Sequence, residues 1–229
     1  MRREGVKLEA MNTTRRHLLA LAAGLAASPA AAQIQPPQTQ SPQTKAPQTK
    51  ALAELTPVAL TTPLGQIVLA LETRRAPITA ANFLKYVDRK LYDGASFYRA
   101  SRPPGSMADD YGFVQGGLQN DPDKVMAPIA HESTLQTGLS HVNGTLSMAR
   151  TAPGTAQADW IICLGDQTYL DADPNDPGRL GFAAFGHVTE GFDILPKILV
   201  MPSDPNKGEG PMKGEMLLHP VPIITARRA

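Results

Sequence analysis

Val58-Ala59-Leu60-Thr61-Thr62, then Pro63-Leu64-Gly65, then Gln66-Ile67-Val68-Leu69-Ala70-Leu71 set two short apolar runs on either side of a turn. The runs favour extended backbone and the Pro and Gly punctuate them, so the stretch reads as a β-hairpin. Further along, the same grammar repeats. Phe97-Tyr98, Phe113-Val114, Gly144-Thr145-Leu146-Ser147-Met148-Ala149 and Trp160-Ile161-Ile162-Cys163-Leu164 are short apolar runs, and so are Phe182-Ala183-Ala184-Phe185 and Val221-Pro222-Ile223-Ile224. Glycines and prolines separate them. Two helices interrupt the pattern. Pro77 opens one, with Phe83, Leu84, Val87 and Leu91 at helical spacing. The other fits Phe192 to Leu199, although Pro196 sits inside it. Many short strands with turns between them predict a mainly β domain over residues 57–229, closed into an antiparallel barrel with about two helices.

The residues before position 57 carry no such grammar. Thr14-Arg15-Arg16-His17-Leu18-Leu19 opens an Ala, Leu and Gly run that ends at Ala30-Ala31-Ala32. A positive start, a short apolar stretch and a small-residue cleavage site make residues 1–32 a signal peptide, with Met11 an alternative start. The run falls short of the roughly 20 apolar residues that a membrane-spanning helix needs. The paired arginines resemble a twin-arginine export signal, and an ordinary Sec signal is the rival reading. Either sends the protein to the periplasm or outside the cell. Residues 33–56 repeat Pro-Gln-Thr every five residues from Pro37 to Lys50. They offer almost nothing apolar to bury and read as a disordered linker.

The 229 residues carry a formal net charge of +1 and a single cysteine. Arg2-Arg3, Arg15-Arg16, Arg74-Arg75 and Arg227-Arg228 are isolated basic pairs, not the clustered stripe that a nucleic-acid surface needs. Cys163 stands alone within an apolar run, so it makes no internal disulfide and reads as a buried structural thiol.

Five short motifs, in order, resemble those of the cyclophilin family of prolyl isomerases. They are Asn82-Phe83, Phe97-Tyr98-Arg99, Val114-Gln115-Gly116-Gly117, Gly144 to Arg150, and Phe185-Gly186-His187-Val188. Singly each is weak, but together they span almost all of 57–229. The resemblance implies a closed eight-stranded antiparallel barrel capped by two helices. It implies catalysis of cis/trans isomerisation at X–Pro bonds in unfolded or folding proteins, by a monomer, without metal or cofactor. It puts the catalytic arginine at Arg99 and the glutamine that orients it at Gln115. Along the peptide groove it puts Tyr98, Phe113, Ala149, Arg150, Asp159, Ile161, Tyr169 and Phe182.

Several of these depart from the family pattern. Tyr98 stands where a histidine is usual, Phe113 keeps one of two large apolar residues, and Asp159 replaces a glutamine. Ile161 replaces the aromatic floor of the proline pocket, Tyr169 a tryptophan, and Phe182 a histidine. Ile161 offers no flat ring, and Phe182 is expected to supply aromatic surface instead. Asp159 is expected near Arg99, holding it while using up donors. The pocket is thus that of a remodelled isomerase, slow or choosy. A catalytically weak or inactive peptide-binding module on the same fold is the alternative.

Other chemistries fare worse. Asp171, Asp173 and Asp176 lack EF-hand offsets and read as turn residues. The histidines lack zinc spacing. Ser101 and Ser147 lack a nucleophile-elbow context.

Overall fold

The computed structural model describes residues 55–229. The expected signal peptide lies outside the described residues, as does the expected linker up to residue 54. Strands β1 (Thr56–Thr62) and β2 (Gly65–Leu71) form the hairpin, with Thr62 opposite Gly65. Helix α1 (Pro77–Asp88) follows, then β3 (Ser96–Ser101) and β4 (Gly112–Gly117). A single turn, α2 (Thr134–Thr137), precedes β5 (Thr145–Met148) and β6 (Trp160–Leu164). The chain ends with β7 (Ala183–Glu190), α3 (Ile194–Leu199), β8 (Ser203–Asp204), β9 (Met216–Pro222) and β10 (Thr225–Arg228).

The ten strands make one antiparallel sheet in the order β10-β1-β2-β7-β5-β6-β4-β3-β9-β8. This corrects the expected closed eight-stranded barrel: the sheet is not closed. Its order has two ends, and no ladder joins β8 to β10 among the described residues. The reason lies in Val221-Pro222-Ile223-Ile224, which is not one strand. Pro222 lacks an N–H and ends β9. Ile223 then donates to Ala95 O at 2.7 Å and Ile224 to Thr61 O at 2.7 Å, so the segment hands over from β3 to β1. Two residues cross where a closed barrel would have a ladder. Arg227 and Arg228 then fasten β10, each with a forked pair of bonds, to Asp93 and Asp88. The two expected helices are present, and α2 is a third. Pro196 is tolerated because it falls in the first turn of α3, where its missing N–H has no helical partner.

One face of the sheet and the apolar stripe of α1 enclose the core. Phe83, Tyr92, Phe97, Trp160 and Phe185 interlock there, with Phe97 and Phe83 edge-on to Trp160 at ring distances of 5.3 and 6.0 Å. A Cβ on Gly116 would stand 2.8 Å from the Trp160 ring, so the second residue of Gln115-Gly116-Gly117 is a seat for that indole. Glu132 reaches across from a distant loop to accept from the N–H groups of Ile78 and Thr79, capping α1 in place of a local cap.

Candidate active site

The opposite face of the same strands carries the polar and ionisable groups. Inward residues Val114, Ile162, Leu146 and Met148 alternate with Phe113, Gln115, Ile161 and Ser147. The register lines Arg99 up with Gln115, Gln115 with Ile161, and Ile161 with Ser147. Strict alternation would put Arg99 on the same face as Phe97, inside. A β-bulge prevents this. Phe97 and Arg99 pair with the consecutive residues Gly116 and Gln115 of β4, leaving Tyr98 as the extra residue, and the β9 pairing shifts at the same point. Phe97 therefore stays in the core while Arg99 turns out beside Gln115.

Arg99 is tightly held. Its Nε donates to Glu215 Oε2 at 2.8 Å, Nη2 lies 2.6 Å from the same oxygen, and Nη1 donates to Gln115 Oε1 at 2.7 Å. The guanidinium carbon lies 5.0 Å from the centre of the Phe113 ring. The side chain is only 12% exposed. Glu215 is anchored from its other oxygen by the Ser101 hydroxyl at 2.7 Å. Gln115 in turn donates from Nε2 to the Tyr98 hydroxyl at 2.7 Å, and Tyr98 donates to Asp159 Oδ1 at 3.2 Å.

Asp159 does not touch Arg99, which corrects the sequence expectation. Its carboxylate accepts the backbone N–H groups of Gln119 at 2.8 Å and Asn120 at 3.0 Å. Those two residues sit at φ 54° and 56°, a conformation unfavourable to side chains, and the carboxylate stabilises it. Burial raises the Asp159 carboxyl above its ordinary value, against the pull of these hydrogen bonds. Burial, and then the Asp159 charge, likewise push the Tyr98 phenol well up, so it stays a neutral donor. The carboxylate on Arg99 is Glu215. It sits in a Gly- and Lys-rich loop just before β9, and nothing in that loop singled it out.

Beside this polar chain lies a small apolar patch. Ile161, Cys163 and Leu170 are its buried part, with Phe113 and Phe182 packed against them. Cys163 is a free, buried thiol whose pKa burial pushes up to about 12, so it is inert as a nucleophile. Arg150 stacks on Phe182 at 4.7 Å and donates to Gly181 O, which covers one face of that ring. Ala149 is half-buried and its N–H bonds to Asp159 O. Tyr169 is exposed and borders a cleft of about 430 Å³ shared with Arg99, Phe113, Arg102, Tyr111 and Glu215. Of the residues named from sequence, then, Arg99, Phe113 and Tyr169 line the cleft. Tyr98, Gln115 and Asp159 lie beneath it as a support, and Ile161 and Phe182 flank Phe113.

Behind the patch, His141 Nδ1 lies 2.5 Å from Asp171 Oδ1 and Nε2 lies 2.8 Å from Ser147 Oγ. The ionised carboxylate only accepts, so Nδ1 carries the proton and Nε2 accepts from the serine. The arrangement resembles a hydrolytic triad, but Ser147 and His141 are fully buried and no substrate reaches them. It ties the turn at 168–171, which carries Tyr169 and Leu170, to the sheet. Asp173 and Asp176 accept the N–H groups of Asn175 and Gly178, the geometry of turn residues. Among the described residues no cluster of His, Cys, Asp or Glu converges as a metal site.

The family model for cyclophilin type peptidyl-prolyl cis-trans isomerase matches residues 57–226. A peptidyl-prolyl cis-trans isomerase of Acinetobacter baylyi is 37% identical over 149 residues, 65% of this chain and 74% of that protein. One from Streptomyces antibioticus is 34% identical over 176 residues, 76% of this chain and 98% of its own. A crystal structure of a cyclophilin type isomerase from Cryptosporidium parvum shares the fold, with a TM-score of 0.60 at 18% identity, covering 76% of this chain and 98% of that one. By the family match and these relatives, the chain belongs to the cyclophilin type peptidyl-prolyl cis-trans isomerases and is an enzyme of that class.

Proposed function

We propose that this isomerase works through Arg99, in a pocket rebuilt around Phe113, Ile161 and Phe182, on proline-containing segments of exported proteins. An X–Pro bond turns over in tens to hundreds of seconds unaided because rotation breaks amide resonance. In the twisted state the prolyl nitrogen regains its lone pair and accepts a hydrogen bond. A fixed donor there stabilises the twisted state more than either planar one. A guanidinium has five N–H groups. Glu215 and Gln115 engage one on each of the three nitrogens, which leaves one free on Nη1 and one on Nη2. This preorganised fork beside an aromatic ring is the observation that carries the proposal. A floor of Ile161, without a flat ring, favours an enzyme that is selective among proline segments. Residues 11–32, with Arg15-Arg16 and Ala30-Ala31-Ala32, support export to the periplasm or beyond, and the Pro-Gln-Thr repeats then serve as a spacer ahead of the domain, which begins at Thr56 in β1 rather than at residue 57.

The test is two-dimensional NMR exchange on a short X–Pro peptide with the full chain. Catalysed exchange well above the uncatalysed rate is expected. Exchange at the uncatalysed rate, with the domain folded, contradicts the reading.

A further inference from the structure

We infer that Arg102 builds a carboxylate-binding subsite next to Arg99, so that the enzyme prefers proline segments carrying a carboxylate close to the proline. This rests on the isomerase reading of the cleft and adds a substrate class to it. The β3–β4 connection runs from Arg102 to Tyr111. Hairpin loops are commonly two to five residues, and longer ones usually serve a site. This loop begins Arg102-Pro103-Pro104, which stiffens its departure from β3. The Arg102 stem is seated on Gly112. A Cβ there would meet Arg102 Cγ at 3.3 Å and Ser101 O at 2.3 Å, and φ is +146°, so only glycine makes that seat. Arg102 lines the cleft together with Arg99, Tyr111 and Tyr169.

Arg102 Nη1 is buried, yet it has no hydrogen-bond partner among the described residues, and Arg102 makes no ion pair there. That occluded donor stays unsatisfied, and the remaining N–H groups of the guanidinium, which make no hydrogen bond or ion pair among the described residues either, are the ones a ligand in the cleft reaches. The nearby carboxylates do not supply their partner. Glu215 already accepts from Arg99 and Ser101. Asp109 and Asp110, on the same loop, are exposed and pair with no arginine. The cleft therefore holds two guanidiniums and one carboxylate already engaged. Its volume of about 430 Å³ accommodates a side chain as well as the prolyl ring. The complement of a planar, fork-shaped cation is a carboxylate, from an acidic side chain or from a chain end.

Three C-terminally amidated proline peptides, with Gln flanking the proline or Glu on its N- or C-terminal side, test the side-chain source. The Gln peptide with a free carboxylate tests the chain end. With the full-length chain, kcat/KM is read by NMR exchange and Kd by NMR titration. At least one carboxylate peptide should exceed its neutral counterpart roughly three- to tenfold, the range of a partly exposed charge-assisted bond. The ratio should fall towards one in Arg102→Gln, stay partly in Arg102→Lys, and shrink as salt rises. A wild-type ratio of one for every carboxylate overturns the inference. So does a preference that survives Arg102→Gln. If no peptide turns over, the isomerase reading fails, and the Kd ratios alone still decide the subsite.

Discussion

Glu215 changes what Arg99 is able to do. A loose arginine loses time and entropy finding the twisted amide, whereas one clamped at Nε, Nη1 and Nη2 has its open N–H groups aimed beforehand. Glu215→Ala should therefore lower kcat/KM by roughly 10- to 100-fold, mostly in kcat, with the Arg99 Nε–H resonance broadened. Glu215→Gln keeps an acceptor for Nε and should fall between. Activity at or above wild type in Glu215→Ala would mean instead that the carboxylate withholds donors from the substrate. At this scale the sequence was partly legible. Arg99 and Gln115 were nameable because they recur in short motifs with fixed neighbours. Glu215 was not, because a single glutamate in a polar loop carries no pattern and is brought to Arg99 only by the β3–β9 pairing. Asp159 was placed near the right residues but given the wrong partner. Its carboxylate is consumed by the backbone of Gln119 and Asn120, and it reaches Arg99 only through Tyr98 and Gln115.

Strands and turns were easier to read than their irregularities. The hairpin, α1 and the central strands follow from apolar runs and punctuation. The bulge at Tyr98 does not, since alternation alone would send Arg99 into the core. The split at Pro222 was missed because Val221 to Ile224 looks like one continuous strand. A third element effect is the tie between β5 and the 168–171 turn through Ser147, His141 and Asp171. Burial lowers the His141 pKa below its ordinary 6.5, and the Asp171 carboxylate only partly offsets this. The unfolded chain then binds the proton first as pH drops. The stabilisation is therefore present above about pH 6.5 and is lost as pH falls through 6.5 towards the folded-state value. Denaturant unfolding of wild type and His141→Gln across pH 5 to 8 checks it. The wild type should lose more stability on acidification than the variant, and parallel curves would remove His141 from the account.

Across the whole molecule, Ile223 and Ile224 carry the chain from β9 to β10 without a ladder between them, and the sheet ends at β10 and β8, so the closure expected from the strand pattern and the family resemblance does not occur. Sequence gave the class and the core; the open order needed the register. Ahead of the domain, export predicts a mature chain beginning near Gln33, which mass spectrometry of protein recovered outside the cytoplasm would show. An intact Met1 or Met11 chain retained in the cytoplasm would contradict it. The claim that joins these scales is that the fold exists to hold one guanidinium beside a proline. Truncating it leaves Glu215 without its cation, so Arg99→Ala should also cost about 1–3 kcal/mol of stability, and activity must be compared at equal folded protein. The deciding measurement is kcat/KM for X–Pro exchange in wild type, Arg99→Ala and Arg99→Lys. The account predicts a loss of roughly 100- to 1,000-fold in Arg99→Ala, with little recovered by lysine, whose point charge lacks the planar fork. Unchanged kcat/KM in folded Arg99→Ala would contradict it.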